Sequence, residues 1–141
     1  MSPAQELRTA AARMRELAEK ATPGPWLARV EPGNHDLHVA PRMSVQHQES
    51  ERSWVNIASG VSDETGGWNA EDWLLQGDAE HIASWHPAVV LAVADWLEGQ
   101  ARDYENYAAA TSVLYEVYGV GLDGANDPAL TVARTFLGGA P

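Results

Sequence analysis

From Pro87 onward the chain repeats at alternating steps of four and three residues, through Val93, Leu97, Gln100, Tyr104, Tyr107, Thr111, Leu114 and Tyr118. That period is helical. Unbroken, the helix would run ~45 Å at 1.5 Å per residue, which is long for a chain of 141 residues. Either it kinks near Gly99, or its far half packs on another helix or another chain. The first part, Ala88 to Leu97, is apolar nearly all round and predicts a helix buried at the centre of the fold. Ile82, Trp85, Val90, Val93 and Trp96 are expected to be buried together, against Trp26 and a sheet.

The other elements follow from local signals. Ser2 is a candidate N-cap with Pro3 at the first helical position. Leu7, Ala11, Met14, Leu17 and Ala18 form one apolar stripe, and Glu16 and Lys20 are spaced to pair. Thr22-Pro23-Gly24-Pro25 stops this helix. Trp26 to Val30, Leu37 to Ala40 and Trp54 to Ala58 read as strands, with Met43-Ser44-Val45 as a weaker one. Gln46 to Arg52 is polar and reads as a loop. Gly60 to Gly77 reads as a loop with a short helical turn at Ala70–Leu75. Asp78 is the expected N-cap of a helix to Trp85, and Asp127 caps a last helix with Pro128 at N1. The expected fold is one α+β domain over residues 1–141: an N-terminal helix, a small antiparallel sheet of three or four strands, a long buried C-terminal helix and a short terminal helix. Residues 1–98 would be the core and 99–141 a helical extension.

Charge narrows the partners. Seven of the nine bases lie in the first 52 residues, and Ser53 to Ala101 contains none. Residues 61–141 carry the whole net charge of −11. Such a field repels nucleic acid and membrane phosphates and attracts basic partners. No apolar run approaches the ~18 residues of a membrane span. The N-terminal segment has no apolar h-region, so no signal peptide is expected. Cysteine is absent, which rules out thiolate chemistry and agrees with a cytoplasmic protein.

Catalytic patterns are weak. His35, His38 and Asp36 could hold a metal with a third ligand, but no zinc spacing is present. His81 and His86 do not share a helical face. Glu71, Asp72, Asp78 and Glu80 are dense, without a diagnostic spacing. No nucleophile elbow or phosphate loop occurs. No cofactor is expected. Of the six tryptophans, Trp26, Trp54, Trp85 and Trp96 sit in apolar segments and read as core. Trp68 and Trp73 lie in an acidic, glycine-rich loop, where exposed aromatics suit recognition.

Two segments are distinctive as a pair. One is Ala21-Thr22-Pro23-Gly24-Pro25-Trp26. The other is Asp78-Ala79-Glu80-His81-Ile82-Ala83-Ser84-Trp85-His86-Pro87. Their order resembles a group of small actinobacterial and actinophage proteins, and a compact version of the Ead-like early proteins of temperate phages. The resemblance covers residues 5–98 with a variable middle. It implies a phage-borne or accessory protein, cytoplasmic during infection, and implies no activity. The motif residues themselves read as fold-specifying.

The function expected is a non-enzymatic interaction protein. Its acidic surface over residues 61–105 would bind a basic protein, such as a host or defence factor, through Glu64, Trp68, Glu71, Asp72, Trp73, Asp78 and Glu80. One alternative is a small-ligand binder that stacks its ligand on Trp68 and Trp73; another is an enzyme with an acidic or metal site. A homodimer is a further expectation, through Val93, Leu97, Tyr104, Tyr107, Leu114 and Tyr118.

Overall fold

The computed structural model describes residues 1–31, 36, 42–59, 74–118 and 127–138, without the side chains of Glu31, Arg42 and residues 111–118. The described residues form an α+β fold of four helices and a three-stranded antiparallel sheet. They fall into two compact units, one of residues 1–19 and 90–141 and one of residues 20–89.

The first unit is helical. Helix α1 spans Pro3–Lys20. Ser2 Oγ accepts from the Gln5 amide at 3.3 Å, and Gln5 Oε1 accepts from the Ser2 amide at 2.9 Å. This reciprocal cap satisfies two amides that have no partner inside the helix. Helix α2 (Gln76–Ser84) belongs to the second unit. Helix α3 runs unbroken from Pro87 to Tyr118, straight through Gly99, and enters the first unit at Val90. Helix α4 spans Pro128–Phe136. Leu7, Leu97 and Leu130, one from each of α1, α3 and α4, are fully buried. They share a cluster with Ala4, Ala10, Ala11, Ala94, Ala101, Ala129 and Ala133. Alanine at these positions lets helices approach closely, and the leucines fill the gaps between them.

Polar contacts fix the same three helices. Asp127 Oδ1 caps α4 through the amides of Ala129 and Leu130, at 2.7 and 3.4 Å. Its Oδ2 accepts from the Tyr104 hydroxyl at 2.6 Å, tying the cap to α3. Arg134 of α4 donates to both oxygens of Glu6, at 2.6 and 3.1 Å. Arg8 pairs with Glu98 at 3.2 Å and also with Glu105. Arg15 pairs with Asp95 at 2.9 Å and Glu98 at 3.7 Å.

The second unit holds strands β1 (Leu27–Glu31), β2 (Arg42–Ser50) and β3 (Ser53–Ser59), in the order β1-β2-β3. Ala28, Val45 and Ala58 are cross-strand neighbours in one row. They pack with Ala79, Ile82 and Ala83 of α2, and with Trp26, Met43, Ile57 and Leu74. The two motif segments meet at the ends of this unit. A Cβ on Gly24 would lie 2.5 Å from His86 Nδ1 and 3.2 Å from His86 Cβ, so only glycine fits beneath that ring. His47 Nδ1 lies 3.0 Å from the Pro25 carbonyl, and Trp26 Nε1 donates to the Thr22 carbonyl at 3.0 Å.

Several expectations need correcting. Gln46–Ser50 is strand, not loop, and completes the longest strand of the sheet. A central strand satisfies its backbone through both neighbours, whatever its side chains are. Asp78 does not cap α2; the N-cap is Leu75, with no side-chain bond, and Asp78 lies in the first turn. Trp85 and Trp96 are not core residues, being 45% and 43% exposed. Ile82 packs in the sheet unit, whereas Val90 and Val93 pack in the helical one. Helix α3 is therefore not buried all round; Ala88, Leu91 and Ala92 face outward. Leu17 also points to solvent, 41% exposed. The expected strand at Leu37–Ala40, and Ala70 to Trp73 of the expected helical turn, lie outside the described residues.

Three outcomes follow from this packing. Leu97→Ala should cost ~2–5 kcal/mol by chemical denaturation, from lost transfer energy and the cavity left behind. Gly24→Val should destabilise by about 1–3 kcal/mol, whereas Gly99→Ala, with nothing within 4 Å of its added Cβ, should be neutral or stabilising. Hydrogen bonds from Arg134 and Arg8 hold Glu6 and Glu105 below the ordinary value of 4.5. Depressed carboxylates stabilise above their unfolded pKa and lose that contribution as pH falls through the folded value. The thermal midpoint should therefore fall as pH drops below 4.5, and Glu6→Gln should flatten part of that slope.

Candidate partner-binding face

Helix α2 buries little of itself. Ala79 and Ala83 are its buried residues, with Ile82 half-buried beside them. These side chains point at the sheet. At 100° per residue, Asp78, His81 and Trp85 fall within about 60° of one another, on a different side of the helix. All three are exposed. The His81 and Trp85 rings lie 6.4 Å apart between centroids, tilted by 55°. Leu75, at the start of the helix, is 67% exposed. Glu80 is also exposed, and its Oε1 accepts from Gln76 Nε2 at 2.9 Å.

Of the seven residues expected at the site, Asp78 and Glu80 fall on this helix; Glu64, Trp68, Glu71, Asp72 and Trp73 lie outside the described residues. Neither Asp78 nor Glu80 has an ion pair to a described residue. The acids farther along the chain differ, since Asp95, Glu98 and Glu105 face Arg8 and Arg15. Trp85 is the residue that sequence reasoning missed. The helical wheel could have found it: the indole lies roughly 110° from the Ala79, Ile82 and Ala83 stripe.

The long-helix face expected to pair with a second copy is partly used within the chain. Leu97 is fully buried, Val93 packs on the same core, and Tyr104 is engaged by Asp127. Tyr107 is 50% exposed, and the side chains of Leu114 and Tyr118 lie outside the description. On the sheet, Arg29 donates to Gln46 at 3.1 Å, and its guanidinium carbon sits 3.9 Å from the Trp54 ring centroid.

Among the described residues no three His, Asp or Glu side chains converge on a point that could hold a metal. His81 and His47 are on separate elements, and His35 and His38 lie outside the description. No described helix is long and apolar enough to cross a membrane. What this unit offers is a surface of mixed chemistry: Asp78, His81 and the Trp85 indole on one side of a short helix with Leu75 at its start, and Glu80 on another side. Tryptophan is enriched among binding hot spots.

No characterised protein and no solved structure matches the chain at a significant level. The family model for Ead/Ea22-like proteins matches residues 10–130. That span takes in both motif segments, all of the sheet and α2, and most of the helical unit. The chain therefore belongs to the phage-related Ead/Ea22-like family.

Proposed function

We propose that the protein is a non-enzymatic interaction protein that binds a basic protein partner, of the kind a phage early product would meet in its host, through acidic side chains. The observation that supports this reading is where the bases go. Arg8 and Arg15 are taken up by Asp95, Glu98 and Glu105 within the helical unit. Residues 20–89 contain ten acids and four bases. Of these acids, Asp78 and Glu80 stand on an exposed helix without an ion pair to a described residue. Asp78 and Glu80, two residues apart, point to different sides of this helix. The repulsion a cationic partner relieves is that of the excess negative charge of residues 20–89 as a whole. The acidic surface proposed thus contracts from residues 61–105 to the segment around Glu64, Glu71, Asp72, Asp78 and Glu80.

Capture of partners from host lysate, at low and high salt, tests the proposal. Exposed charges are screened within ~8–10 Å at physiological ionic strength, so capture should weaken as salt rises. The double variant Asp78→Lys/Glu80→Lys should keep its thermal midpoint within a few degrees and slow association about tenfold. A reversed variant that retains the same partner with the same salt dependence would sink the charge-based reading.

A further inference from the structure

The exposed face of α2 gives the basic partner a specific form. We propose that a lysine or arginine side chain of the partner lies across the Trp85 indole while a second cation pairs with Asp78. This rests on the reading of the protein as a binder of a basic partner and adds the anchor. Trp85 follows Asp78 by seven residues. On a helix that spacing is two turns, about 10 Å along one side. The matching ligand is a basic helical segment with cations seven residues apart.

Three observations single out this position. Trp85 is 45% exposed although its backbone caps the C-terminal end of a packed helix, so the residue is anchored through its main chain and its ring is open to solvent. Asp78 shares its side of the helix and has no base to pair with among the described residues. Among the described residues, the one ring that Trp85 meets is the tilted His81, at 6.4 Å, and the indole stays open; the other two exposed or half-exposed indoles with a charged neighbour are already provided for. Trp54 carries the guanidinium of Arg29 at 3.9 Å. Trp96 adjoins Asp95, whose carboxylate is taken by Arg15 at 2.9 Å. The electron-rich face of an indole attracts a cation, and a neighbouring carboxylate adds to that pull. Leu75, three residues before Asp78, supplies apolar area for the aliphatic stem of the cation that pairs with Asp78.

The test uses the whole protein and a defined probe. The probe is a helical alanine–glutamine peptide with two arginines seven residues apart; a control peptide has glutamates in their place. The indole N–H resonance of Trp85 is assigned through Trp85→Phe, and both peptides are titrated at low and high salt. The arginine peptide should move the Trp85 resonance and leave that of Trp54 in place, and high salt should suppress the shift. Trp85→Ala should weaken the peptide about three- to tenfold, and Trp96→Ala should leave its affinity unchanged. If the peptide binds in a salt-dependent way but Trp85 does not respond and Trp85→Ala binds equally well, the anchor is wrong while the basic-partner reading stands. If neither peptide binds, the anchor is likewise overturned, and lysate capture by the charge-reversed variant decides the wider reading separately. Equal binding of the glutamate peptide would overturn both.

Discussion

The two ends of this chain share one core, and the remaining structure depends on that contact. Leu7 comes from the first helix, Leu97 from the long helix and Leu130 from the last, with alanines between them. The nine-residue last helix is too short to stand alone. For all three, most helical stability in a protein comes from packing an amphipathic side. The seventy residues from Lys20 to Val89 are thus spliced between two helices that must find each other across the sequence. Contacts of such long separation carry a high closure entropy, which the dense Leu–Ala packing has to offset.

The same contact also pairs part of the protein's charge. Read along the chain, acids from Asp63 to Glu105 look like one uncompensated run. Once α1 lies beside α3, the run divides. Arg8 and Arg15 take Asp95, Glu98 and Glu105 of the long helix, and Arg134 takes Glu6. These pairs are partly exposed, and each contributes little to stability by itself. Their larger consequence is that these bases are engaged within the helical unit itself. Each unit keeps a surplus of acids, ten against four bases in residues 20–89 and ten against five in the rest. In the sheet unit two of them stand on a helix that also exposes an indole.

Within that unit the paired family motifs act on the backbone more than on any ligand. Gly24 leaves room for the His86 ring, Trp26 closes the turn through the Thr22 carbonyl, and His47 meets the Pro25 carbonyl. These contacts seat α2 against Ala28, Val45 and Ala58 with its other side turned outward. A family match carried by such residues establishes the scaffold. Function has to be read from the surface the scaffold presents.

Local physics made much of this legible in advance. The Ser2–Pro3 start, the Pro-Gly-Pro stop, the Trp54–Ala58 strand and the Asp127–Pro128 cap depend on neighbours within a few residues, so the sequence alone specified them. The long helix was equally plain from its period, though whether Gly99 breaks it was not. A glycine costs a helix only ~1 kcal/mol, and packing on either side overrides that. Burial was the part that composition could not decide. Trp85 and Trp96 are as hydrophobic as Trp26, yet only Trp26 packs into a described core. Gln46–Ser50 is as polar as a loop, yet it is strand because β1 and β3 lie on either side. The sequence determined which segments could be helix or strand, because that choice is made by neighbours along the chain. Only the tertiary structure decided which sides meet and which acids find a base, because those depend on residues up to 128 positions apart, such as Glu6 and Arg134.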